Sequence, residues 1–176
     1  MDVSLKYCDD DDRCYGLTGM AISMVVLDTD HLLSSISIDG DTDDDHVYFS
    51  PQYYFAGDPK LSAKAAWGQL VEHYQATLGM MLGNVMCRSY VYSHKPIDPD
   101  MRAALFGIAE EEGRDACSLE EDEIERIFDK IYGYMHKVFS HHGVQSVAMD
   151  FSRTLKQSRA MSRADVLENL RALSML

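Results

Sequence analysis

No stretch of this chain is apolar for long enough to cross a bilayer. The longest such run, Met20 to Leu27, is interrupted by Ser23 and falls far short of the roughly 20 residues a spanning helix needs. The first residues carry neither a basic segment nor an apolar one, so secretion through a cleaved signal peptide is not expected. Cysteine is scarce: Cys8, Cys14, Cys87 and Cys117 form no C-x-x-C pair, and a chain of 176 residues with 46% apolar content does not need disulfides to hold a core. They read as reduced thiols in a soluble, cytoplasmic protein. The alternative is a small loop closed by Cys8 and Cys14 if these oxidise.

Positive charge is scarce as well. Sixteen Lys and Arg against 29 Asp and Glu leave a net charge of −13. That balance argues against binding nucleic acid through its phosphates, which requires a basic face to release counterions. It argues against an anionic membrane surface for the same reason. The basic residues are also unevenly placed. Residues 150–176 hold Arg153, Lys156, Arg159, Arg163 and Arg171 against Asp150, Asp165 and Glu168, so a mildly basic tail follows an acidic body and is expected to pack against it.

Motifs for chemistry are missing too. There is no phosphate-cradling glycine loop, no G-x-S-x-G elbow, no His-Glu-x-x-His, and no cysteine in a nucleophile context. No cofactor is implied.

What is present is a division between the two acidic residue types. All 13 acids before position 60 are Asp, and the first Glu is Glu72. Asp competes for backbone hydrogen bonds and favours turns, whereas Glu is a good helix former. Proline agrees: Pro51, Pro59, Pro96 and Pro99 all precede residue 100. The chain therefore reads as one α+β domain over 1–176. A partly flexible acidic segment (1–18) leads to an antiparallel meander of about three strands (19–57), then to about five helices (58–176).

The predicted strands are Gly19–Leu27, apolar on both faces, and Leu32–Ile38, which alternates, joined through a turn at Asp28 to His31. The aromatic segment His46–Phe55 follows, bent by Pro51. Asp58-Pro59 signals the first long helix, with an apolar stripe from Trp67 to Val85. Asp98-Pro99 opens a second helix that Gly113 would stop, and Ser118 to Glu121 reads as a capping box for a third that Gly143 would end. Two more are expected, from Val144 to Ala160 and after the cap Ser162, with Asp165 at its third position.

Three sets of residues are candidates for function. Asp28, Asp30 and His31, together with Asp41, Asp43 and His46, could supply oxygen and nitrogen ligands to a divalent metal ion, giving a metal-dependent enzyme or a metal-binding protein as the alternative reading. The Asp39 to His46 stretch begins like a calcium loop but has Asp44 where the turn needs Gly and Ser50 where a bidentate Glu belongs. Tyr48, Tyr53 and Tyr54 read as partner-binding residues, because tyrosine buries area with little entropy loss and keeps a hydroxyl for a partner. The glycines interleaved with the long helix's stripe, Gly68, Gly79 and Gly83, imply close approach of another backbone, either the sheet or a second copy in a homodimer. The leading reading is a non-enzymatic protein-binding or assembly module, of the inhibitor, immunity or chaperone type, acting on a basic protein partner.

Overall fold

In the computed structural model, which describes residues 6–40, 46–54 and 62–176, the chain opens with helix α1 (Asp10–Val26). Residues 10–26, expected to be the end of an acidic, partly flexible lead and then a strand, form one largely buried helix. Asp9 caps it, its carboxylate accepting from the Asp12 N–H at 2.8 Å, and Asp10 to Asp12 sit at the positive end of the helix dipole. From Cys14 to Met24 nearly every residue is buried, so apolar side chains occur all round and no helical period shows in the sequence. The polar members are satisfied internally, Thr18 donating to the Cys14 carbonyl and Ser23 to that of Met20.

The helix ends where a hairpin turn was expected. Asp28 takes a left-handed conformation (φ 59°), with Asp28 N–H bonded to the Val25 carbonyl and Thr29 N–H to that of Met24. This is a Schellman closure with aspartate in the place glycine usually takes. A single 3₁₀ turn, Asp30–Leu32, then leads into strand β1 (Leu33–Ser37).

The sheet is antiparallel and three-stranded in the order β2–β1–β3, so β1 is central. Strand β2 is Val47–Phe49, within the predicted aromatic segment. Its partner on the other side of β1 comes from the far end of the chain, Ala160–Ser162 (β3), paired through Ser35 with Ser162 and Ile36 with Met161. A bulge between Leu33 and Ser35 breaks the expected alternation. Leu33, Ile36 and Ile38 are buried while Ser34 is exposed.

Helix α2 (Ala63–Met86) is capped by Ser62, whose hydroxyl accepts from the Ala65 N–H; the predicted start at Asp58 and Pro59 lies outside the described residues. It passes into a π-helical turn, Cys87–Tyr92, marked by the Ser93 N–H bond to the Arg88 carbonyl five residues back. Helix α3 (Pro99–Asp115) starts as expected, Asp98 accepting from the Met101 N–H at 2.7 Å. It runs through Gly113, which packs against Ile124 and the Tyr74 hydroxyl rather than ending the helix. Helix α4 (Glu121–Ser140) begins two residues later than predicted, its first N–H groups answered by Glu123, whose carboxylate accepts from the Glu120 N–H at 3.0 Å. Its buried face, Ile124, Phe128, Ile131, Met135 and Phe139, follows the predicted period.

Gly143 also stops nothing. It lies in the first turn of α5 (His142–Ser158), and His141 caps that helix by accepting the Gly143 N–H on Nδ1. Arg159, left-handed at φ 64°, turns the chain into β3, and its carbonyl accepts from the Ile38 N–H. Helix α6 (Arg163–Asn169) carries the predicted Ser162 and Asp165 capping box, and a 3₁₀ turn, Arg171–Met175, follows.

The protein is thus α+β, with one core to which α1, α2, α4, α5 and β1 all contribute. Among the described residues no helix is long and apolar enough to cross a membrane.

Candidate functional site

The basic tail decides which acidic residues remain available. Lys156 donates to Asp11 at 2.7 Å, Arg159 grips Asp39 through Nε and Nη2, and Arg163 bonds both the carboxylate (2.6 Å) and the carbonyl (2.9 Å) of Asp30. The Arg159 pair holds the Asp39 carboxyl below its ordinary value and raises the guanidinium's own. These are exposed surface pairs, weakened by solvent screening. Together they counter the aspartates around α1 and β1.

The α3–α4 hairpin has no such counterweight. Residues 98–130 hold twelve acids against four basic residues, a net of −8 out of the chain's −13. Nine of the twelve are exposed, and only Arg102 with Asp129, Arg114 with Glu110, and Arg126 with Asp122 pair locally. Against this hairpin lies a groove of about 310 Å³ between α2 and the start of α4. Trp67, Val71, Leu119 and Ile127 supply its apolar surface, and Glu123, Arg126 and Lys130 its charged rim. Trp67 is 46% exposed, unusual for the largest apolar side chain.

A second concavity, about 510 Å³, opens between α1, α2 and β2. Its walls are apolar, from Leu17, Met20, Phe49, Met80 and Met81, with Tyr7, His46 and Asn84 among the polar groups. Beneath Tyr7 runs a buried polar network. Arg88 donates to both carboxylate oxygens of Asp12 at 2.6 Å and lies 5.2 Å from the Tyr7 ring centre, while the Asn84 amide donates to the Tyr7 hydroxyl at 2.7 Å. Burial alone would raise the Asp12 carboxyl, but the Arg88 bonds and the Cys8 N–H outweigh it, and the net shift is downward. Arg88 behaves in mirror image, raised by Asp12 against the effect of burial.

The described residues among the proposed metal ligands do not converge. Asp30 is held by Arg163, His31 Nε2 faces Glu72 Oε1 at 3.4 Å, and His46 bonds the Ser37 carbonyl through Nδ1. Asp28 forms the left-handed closure of α1 through its backbone, and Asp41 and Asp43 lie outside the described residues. No group of three or more His, Cys, Asp or Glu among the described residues is placed to hold a metal ion.

The glycine face of α2 is likewise used inside the chain. Gly83 meets the backbone of Gly19 on α1, and Gly79 meets the Leu27 side chain, so the close neighbour is α1 and not the sheet or a second copy. Gly68 has nothing within 4 Å of a would-be Cβ. The tyrosines divide. Tyr48 and Tyr54 are 46% and 66% exposed, whereas Tyr53 stacks on Phe49 and bonds the Thr77 hydroxyl at 3.2 Å. Sequence reasoning missed the Trp67 groove because Trp67 opens a stripe that becomes buried only from Tyr74 onward, and the change in exposure along one helix leaves no mark in periodicity. The Asp12–Arg88 pair, 76 positions apart, had no local signal at all.

Comparison of the chain with protein-family models, with curated proteins and with solved structures finds no match in any of the three.

Proposed function

We propose that this protein is a non-enzymatic binding module for a basic protein partner, of the kind represented by inhibitors, immunity proteins and chaperones, working in the cytoplasm. The observation that carries the reading is the separation of the acidic residues into two sets. Asp11, Asp30 and Asp39 are paired with the chain's own tail, while nine of the twelve acids of residues 98–130 stand exposed, in a hairpin whose α4 forms one side of the Trp67 groove. An acidic field steers association with a basic partner, and an exposed aromatic in an apolar groove is the kind of residue that holds it once docked. The four unpaired cysteines are consistent with a reducing compartment.

The test is retention from native lysate by the wild-type protein and by a Glu111→Lys, Asp115→Lys, Glu125→Lys variant. All three positions are exposed and none lies in the first turn of a helix. The reading expects proteins retained at low salt to be lost both in the variant and at moderate salt. Retention that the variant and salt leave unchanged contradicts it.

A further inference from the structure

The 510 Å³ cavity between α1, α2 and β2 differs in charge from the rest of the chain. The sequence holds 29 Asp and Glu against 16 Lys and Arg, yet none of the described residues lining the cavity is acidic, and one, Lys6, is basic. Lys6 is exposed, so the wall reaches the surface there. A lysine in that position lays its aliphatic stem on the apolar wall and keeps its ammonium in water at the edge. That ammonium pairs with no carboxylate among the described residues; only the Lys6 backbone carbonyl is engaged, accepting from Arg88 Nη2 at 3.1 Å. The aspartates that follow Lys6 are each occupied elsewhere. Asp9 caps α1, Asp10 pairs with Arg13, Asp11 with Lys156 and Asp12 with Arg88.

The other polar side chains of the wall are engaged inside the protein. The Asn84 amide donates to the Tyr7 hydroxyl at 2.7 Å, the hydroxyls of Tyr53 and Thr77 share a hydrogen bond of 3.2 Å, and His46 Nδ1 is bonded to the Ser37 carbonyl. His46 Nε2 is buried beneath the surface, out of reach of anything in the cavity. What meets an occupant is therefore mainly carbon and sulfur, from Leu17, Met20, Phe49, Met80 and Met81, with one cation at the edge. The volume is in the range of small-molecule sites.

We propose that this cavity binds a single-chain aliphatic anion of the fatty carboxylate kind, its chain against the methionines and its head group in water beside the Lys6 ammonium. Keeping the head group at the edge avoids burying a charge, which an apolar cavity strongly disfavours. An aliphatic cation meets Lys6 with like charge, and a neutral chain gains nothing from it. Methionine is flexible and polarizable, so the wall adapts to chains of differing length while the edge selects the sign of the head group. This site is separate from the Trp67 groove and does not depend on it.

The probes are decanoate, decanol and decyltrimethylammonium, which carry the same alkyl chain and differ in head-group charge. Binding to the full chain is measured by calorimetry, and its place by the methionine methyl resonances. The expected result is saturable binding of decanoate with shifts at Met20, Met80 and Met81. Lys6→Met keeps an apolar stem and removes the cation, and because only the backbone carbonyl of Lys6 is bonded the variant should fold as the wild type does. It should weaken decanoate about threefold, leave decanol unchanged and tighten decyltrimethylammonium. No saturable decanoate binding overturns the proposal, as do methyl shifts confined to other methionines, or a Lys6→Met change that is absent or equal for all three probes. Vesicles of phosphatidylglycerol offer an anion and acyl chains in a bilayer, and binding to these without binding of decanoate would overturn it too.

Discussion

Arg88 holds Asp12 with two parallel hydrogen bonds, Nε to Oδ1 and Nη2 to Oδ2, each 2.6 Å long, across 76 positions of sequence. The pair joins the first turn of α1 to the π-helical turn after α2, and both side chains are largely buried, at 7% and 15% exposure. It also carries the Cys8 N–H and the Lys6 carbonyl, so the chain ahead of α1 is anchored to the same point. Replacing Asp12 by Ala removes the carboxylate that faces a largely buried guanidinium and should lower stability by about 3 kcal/mol, measured by urea unfolding. The pH dependence has a definite sign. Since the fold holds Asp12 below the ordinary carboxylate value, the unfolded chain takes up the proton more readily, and the contribution is fully present above about pH 4. It is lost as pH falls through the lower, folded value. The wild type should therefore lose stability below pH 4 more steeply than Asp12→Ala, and parallel curves would contradict this role.

The contact between α1 and α2 rests on two glycines. A Cβ at Gly19 would fall on the Gly83 carbonyl and one at Gly83 on that of Gly19, both backbone atoms that no rotamer change can move. Alanine gains about 1 kcal/mol in helix propensity at either site, but overpacking of this kind costs typically 1–3 kcal/mol or more. Gly83→Ala should thus be destabilising. Gly68→Ala, with open space around the new methyl, should be neutral or stabilising by up to about 1 kcal/mol. Melting temperatures of the two variants that move in the same direction would refute the assignment.

The thiols offer a check on how α1 packs. Cys8 is exposed, whereas Cys14, Cys87 and Cys117 are buried, and burial raises all three, Cys14 to about 11. Reaction with a disulfide reagent at neutral pH should titrate one thiol rapidly in the native protein and the other three only on unfolding. Had residues 19–27 formed a central strand with 1–18 loose, Cys14 would react along with Cys8.

Helices α3 and α6 were readable because each carries its own start signal, Asp98 before α3 and Ser162 with Asp165 at α6, and α4 was readable through its amphipathic period. The α+β class and the number of strands also followed from the sequence, but the identity of one of the three strands did not. Gly19–Leu27 looked like a central strand because a helix buried on all sides has no polar stripe, and Asp28 looked like a hairpin turn because aspartate tolerates the left-handed closure of a helix as well as a turn. Strand β3 was hidden in a predicted helix end because its three residues, Ala160–Ser162, are too few to show a period, and their partner Ile36 is far away in sequence. The packing of the basic tail on the acidic body was legible as charge, though the particular pairs were not. Neither concavity was foreseeable, since each is lined by side chains from elements whose adjacency only the fold creates.

The functional account rests on the acidic hairpin and the groove beside it, and the chain offers a reporter at that place, because Trp67 is its only tryptophan. The direct measurement is Trp67 emission during titration with a synthetic helical peptide that is basic on one face and apolar on the other, at low and at high salt. The account predicts a saturable shift of the emission to shorter wavelength at low salt as the indole is covered. The shift should weaken at high salt and in the Glu111→Lys, Asp115→Lys, Glu125→Lys variant. Emission that stays unchanged, or a shift as large in the variant and at high salt as in the wild type at low salt, would contradict it.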